Sequence, residues 1–242
     1  MLAQHRRLDV EPEQGARRLS DAVERGRASW ARYPEIFKTE PFFRTKKEAW
    51  ELFRLGPEGS GYNTDPARRV AFPEGTLFPV KAFDQFGKQG IPRWATNDAA
   101  TQAAYDQYVQ KVCPGGIVVH SQGGNFTFNA ALKAPDKIKG VIAIEPSGAP
   151  NPERTNLSAL KDVPHLFVWG DYLDRQDLFR KIAAGIGTFE NAVRAQGGVV
   201  DRLDLPQATG QRGNSHMLMM DRNSDQVAQL VQDWLAKQGL MK

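Results

Sequence analysis

The chain has 242 residues, 40% of them apolar and 25% charged, and a formal charge of +4 at neutral pH. Its length suits one large domain with a sizeable core. Its basic excess is scattered, much of it as arginine among Asp and Glu in the first 32 residues, which excludes a nucleic-acid-binding stripe. The one cysteine, Cys113, excludes an internal disulfide and a thiolate-rich metal site.

No apolar run is long enough for a membrane span, and the first residues lack the apolar stretch of a signal peptide, so the expected location is cytoplasmic. Residues 1–29 are polar, arginine-rich and poorly periodic, the pattern of a solvated or disordered leader. Residues 30–96 change character. They are crowded with aromatic residues and repeatedly broken by Pro and Gly. One helix is well signalled there: Thr45 and Glu48 spell a capping box, Ala49, Trp50, Leu52 and Phe53 give an apolar face, and Gly56 stops it. Residues 56–75 read as a long loop and 79–89 as a second short helix. Such a segment suits a cap over an apolar substrate pocket, though each aromatic could equally fill ordinary core.

From residue 97 onward the pattern becomes regular. Asn97 can cap a helix reaching about Val112. Gly115 to His120 is a short apolar run that ends at Ser121, and a helix is expected over 125–133. Buried strands are expected at 140–144 and 164–169, a helix at 177–195, a last strand at 199–205 and a final helix at 224–237. Four strands alternating with helices predict a parallel, doubly wound α/β sheet over 97–242, whose ligands sit at the carboxyl ends of the strands. Ser121, Glu145, Asp171, Asp174 and His216 all fall at or after such ends.

Strand, serine turn and helix form the setting of a nucleophile elbow, although Val119 stands where the usual G-x-S-x-G spelling has its first glycine. A serine hydroxyl needs a base. Of the four histidines, His5 lies in the leader, and His120 should face away from its neighbour Ser121 on an extended strand. His165 begins a strand placed at the opposite edge of the sheet. His216 follows the last strand, the position that suits a base. Two carboxylates compete as its partner. Spacing alone slightly favours Asp174, four residues past Gly170, over Glu145.

The blocks His120-Ser121-Gln122-Gly123-Gly124, Ile144-Glu145-Pro146, Phe167-Val168-Trp169-Gly170-Asp171 and the long run from Gly213 to Asn223 resemble a bacterial carboxylesterase branch of the α/β-hydrolases that uses a Ser–Glu–His triad. The resemblance implies Ser121 as nucleophile, Glu145 as acid and His216 as base, with the backbone N–H of Gln122 as oxyanion donor. It implies an ester substrate, expected to be small and apolar, and no metal or organic cofactor. Lactone or thioester hydrolysis, or a catalytically weak remnant that only binds, are the alternatives. The match breaks upstream of Gly115, where no comparable strands are legible and no turn supplies a second oxyanion donor. The chain therefore reads as an α/β-hydrolase truncated on its N-terminal side. It is expected to turn over weakly alone, with a homo-oligomer as one way to complete the sheet edge.

Overall fold

The computed structural model describes residues 41, 44–90 and 96–241. The chain divides into two compact units, and nearly all described residues belong to the one made of 43–92 and 98–242. The leader expected over 1–29 and the start of the aromatic segment lie outside the described residues.

Four strands, β1 (Gly115–His120), β2 (Ile138–Ile144), β3 (His165–Trp169) and β4 (Val200–Asp204), pair in the order β1-β2-β3-β4, all parallel. Parallel neighbours need crossover connections, and when the order advances steadily, right-handed crossovers bring the connecting segments to one face. The packing agrees. α3 (Asp98–Val112), α4 (Gly123–Lys133) and α5 (Asp177–Ala195) share one core with Val119, Val141, Ala143, Phe167 and Trp169. The alternate strand residues Ile142, Leu166 and Val168 point the other way, onto α7 (Ser224–Lys237) through Val227, Val231 and Trp234. Helices therefore cover both faces of the sheet. β1 is a terminal strand among the described residues, and its Val118 stays 56% exposed.

α5 and α7 occupy the residues expected from their apolar periodicity. Three expectations shift. α4 opens two residues early, because Gly123 and Gly124 already turn helically past β2; a Cβ on Gly124 would come within 2.7 Å of Pro146. The last strand ends at Asp204, and Leu205 opens the short helix α6 (Leu205–Thr209), whose first turn contains a proline suited to that position. His165 opens an inner strand rather than one at the sheet's edge, since β3 pairs with both β2 and β4.

Upstream of the sheet, α1 (Lys46–Leu52) carries the expected capping box, with the Thr45 hydroxyl accepting from the Glu48 N–H and the Glu48 carboxylate accepting from the Thr45 N–H. A 3₁₀ turn at Val80–Ala82 leads into α2 (Phe83–Lys88). Trp50, Leu55, Phe78 and Phe83 are fully buried in a small core of their own, against which Met217 and Met220 pack. Most of the described aromatics of this segment build a core, and that core seats the loop carrying His216.

Candidate active site

β1 ends at His120, and Ser121 turns the chain with φ +53° before α4 begins. The left-handed region is costly for a side chain bearing a Cβ, so the surroundings must hold it there. The Ser121 N–H donates to Ile144 O at 3.0 Å, and its carbonyl accepts from the N–H groups of Gly124 (3.1 Å) and Ser147 (3.0 Å). These bonds clamp the turn between α4 and the exit of β2, leaving the half-buried hydroxyl above the strand ends.

Glu145 follows β2 directly, also left-handed at φ +47°, and is wholly buried. Its Oε1 accepts from the Gly170 N–H at 2.6 Å and from Arg54 Nη2 at 2.5 Å. Its Oε2 lies 3.0 Å from His216 Nδ1, and His216 Nε2 lies 3.0 Å from Ser121 Oγ. A carboxylate only accepts, so Nδ1 carries the proton and Nε2 is left bare toward the serine. Three residues separated by up to 95 positions thus form one hydrogen-bonded line.

The electrostatics follow from the neighbours. Burial alone would push the Glu145 carboxyl up, but the Arg54 charge and the hydrogen bonds from His216 and Arg54 override it and hold it at about 2. His216 is drawn below its ordinary value by burial, against the pull of Glu145, which keeps the imidazole neutral at pH 7. His120 is lowered to about 4, chiefly by burial. At neutral pH both histidines are therefore uncharged while Glu145 is ionised.

The loop bearing His216 is fixed by a second buried carboxylate. Asp221 accepts from the Ser215 N–H (2.7 Å), the Ser215 hydroxyl (2.7 Å) and Asn214 Nδ2 (3.0 Å), while Asn214 also donates to Asn223. Asn214 and Ser215 are fully buried, so every polar atom spent here must be paired, and the distinctive run from 213 to 223 closes on itself. Asp171 clips the entry to this loop, accepting from the Gly213 N–H at 2.9 Å and from Arg212 at 2.6 Å. Asp174 stands elsewhere. Its side chain is 79% exposed beside Arg175.

Gly170 has no room for a side chain. A Cβ there would lie 2.8 Å from Ser215 O and 2.9 Å from Glu145 Oε1. Gly170→Ala is therefore expected to push the carboxylate and the histidine loop apart. A roughly tenfold or greater loss of serine reactivity should follow with the fold retained, checked by active-site labelling beside circular dichroism.

Sequence reasoning missed three neighbours. His120 does not turn away: its ring lies 4.5 Å from that of His216, and its Nε2 is 2.8 Å from His216 O, a bond that requires the Nε2–H tautomer. Phe53 stacks on His216 at 5.6 Å and 13°, while its carbonyl accepts the His216 N–H at 2.9 Å. Arg54 reaches Glu145 from a segment 91 residues away, which no local spacing could reveal.

No protein-family model matches the chain. A fungal protein named as a probable secreted lipase, phiG, is 23% identical over 91% of this chain and 72% of its own length. A solved structure of a novel bacterial esterase superposes with a TM-score of 0.71 at 31% identity, over 84% of this chain. The match covers 61% of the esterase chain, so the relative is considerably longer than the part shared.

Proposed function

The chain belongs to the α/β-hydrolase superfamily, and from that premise we propose that it is a serine hydrolase of carboxylic esters. The observation that carries the proposal is the Ser121–His216–Glu145 line, with both its contacts at 3.0 Å. Ser121 Oγ attacks the ester carbonyl carbon as His216 Nε2 takes the hydroxyl proton. Glu145 stays ionised and stabilises the imidazolium through Nδ1. The Gln122 N–H is the oxyanion donor, being the first backbone donor after the nucleophile. His216 then protonates the departing alkoxide, leaving an acyl-enzyme, and water repeats the cycle to release the acid and restore the serine. No step routes through a metal or organic cofactor.

The segment 30–96 serves as the cap, a role supported by Phe53 lying flat on His216. The substrate is a small apolar ester, in keeping with the aromatic and methionine side chains around the loop. No separate observation favours lactone, thioester or purely binding roles. Among the described residues no helix is long and apolar enough to cross a membrane. The cytoplasmic location expected from the sequence stands as a proposal beside a relative named as secreted, and recovery of the native protein from culture medium would overturn it. Pairing of copies along the terminal strand β1 is likewise a proposal, which a strictly monomeric sedimentation profile would remove.

The deciding experiment is a fluorophosphonate label followed by peptide mapping, because only an activated serine reacts. Label on Ser121 supports the proposal, and an unlabelled Ser121 in folded protein removes it. A neutral His216 at pH 7 sets the direction of the pH profile: reactivity should be full at neutral pH and fall as pH drops through the His216 value.

A further inference from the structure

Four non-glycine residues among those described have a left-handed backbone: Arg54, Ser121, Glu145 and Tyr172. Two belong to the proposed triad. The other two meet it through one guanidinium, since Arg54 Nη2 donates to Glu145 Oε1 and Arg54 Nε donates at 2.8 Å to the carbonyl of Asp171, the residue before Tyr172. Strain of this kind persists only where the surroundings over-determine it. Here it gathers around Arg54.

A wholly buried arginine is uncommon, and among the described residues this one has a single carboxylate partner, itself wholly buried. The guanidinium carbon lies 4.3 Å from the centre of the Phe179 ring, and Nη1 has no hydrogen-bond partner among the described residues. Such an arrangement is a poor source of stability, because desolvating both ions offsets much of their attraction. Its geometric consequence is specific. With Oε1 taken by Arg54 and Gly170, only Oε2 faces Nδ1 of the imidazole. The adjacent residue, Phe53, holds that same imidazole from the other side by its ring and its carbonyl.

We propose that Arg54 is the positioning residue of the triad, a fixed buried cation that keeps Glu145 ionised and its free oxygen aimed at His216. The inference deepens the hydrolase reading and rests on it. The end of α1 then completes the catalytic machinery, beyond merely covering it. Arg54 lowers the proton affinity of the Glu145–His216 pair, so the imidazole remains an available base at neutral pH.

The other charged groups around the pair are accounted for. His120, packed on His216, is neutral. The Asp171 carboxylate is engaged by Arg212 and by the N–H groups of Tyr172 and Gly213. Asp221 sits behind the loop on Asn214 and Ser215, its carboxyl raised by burial. Among the described residues, Arg54 is thus the cation that touches Glu145.

The test follows the His216 ring by NMR across pH in the full chain, with fluorophosphonate labelling of Ser121 measured in parallel. Removing a positive charge makes a neighbouring group bind protons more readily, so Arg54→Met should raise the first protonation of the pair by about one pH unit. It should also slow labelling at pH 7 about 100-fold, mainly in the chemical step rather than in reagent binding. Arg54→Lys keeps the charge without the fork and should titrate within about half a unit of the parent while labelling more slowly. If Arg54→Met does not fold, the neutral double variant Arg54→Met with Glu145→Gln tests the same point. Compared with Glu145→Gln alone, it should raise the His216 titration, because the Arg54 charge also acts on the imidazole directly. An unmoved titration in Arg54→Met, or a Lys variant that shifts as far as the Met variant, overturns the proposal. Parent protein that never labels at Ser121 yet shows these shifts would sink the hydrolase reading and leave the role of Arg54 standing.

Discussion

Ser121→Ala is expected to abolish labelling and to lower turnover of a p-nitrophenyl ester by about 10⁴-fold or more. The size of the effect comes from the covalent route. Without Oγ there is no acyl-enzyme, and whatever rate survives must come from water activated by His216 and from the oxyanion donor alone. The substitution should barely touch the fold, because the clamps on residue 121 are backbone bonds to Ile144, Gly124 and Ser147, which alanine keeps. Its φ of +53° is as tolerable for alanine as for serine, so the melting temperature should stay close to that of the parent. A folded Ser121→Ala protein that still hydrolyses the ester at the parent rate would place the nucleophile elsewhere.

Much of the sheet was legible because its signals are local. α5 and α7 follow from apolar spacing, and the strands follow from short β-branched runs bounded by turn residues. The serine turn and the histidine loop were legible from motif and position. Illegibility began wherever the decisive contact was long-range or the backbone left its regular path. The alternation that should turn His120 away from Ser121 assumes an extended chain through both. Ser121 is left-handed, so the rule stops at His120, whose ring lies against His216 instead. Spacing slightly favours Asp174 over Glu145, although both follow strand ends. The difference is three-dimensional: one carboxylate is buried against the imidazole, the other lies in solvent beside Arg175. Arg54 carried no signal at all. It follows the apolar run of α1 as an ordinary polar residue, and only the fold turns its guanidinium inward.

The contrast between those two carboxylates gives the second large effect. Glu145→Gln should lower reactivity by about 10³- to 10⁴-fold, while Asp174→Asn should leave it within about twofold. The amide is nearly the shape of the carboxylate but can present an N–H to His216, which favours the wrong tautomer, and it no longer stabilises the imidazolium. It also leaves the Arg54 charge buried without its counter-ion, a loss of about 3–5 kcal/mol in stability. The pH dependence of that loss has a definite sign. The Glu145 carboxyl is held at about 2, below its ordinary value of 4.5, so its stabilising contribution is complete above about pH 4.5 and disappears as pH falls through about 2. Chemical denaturation of parent and Glu145→Gln should therefore differ by a constant amount from pH 5 to 7 and converge toward pH 2. A larger rate loss in Asp174→Asn than in Glu145→Gln would reassign the acid, and a stability gap unchanged down to pH 2 would mean that the charge on residue 145 does not hold Arg54 in place.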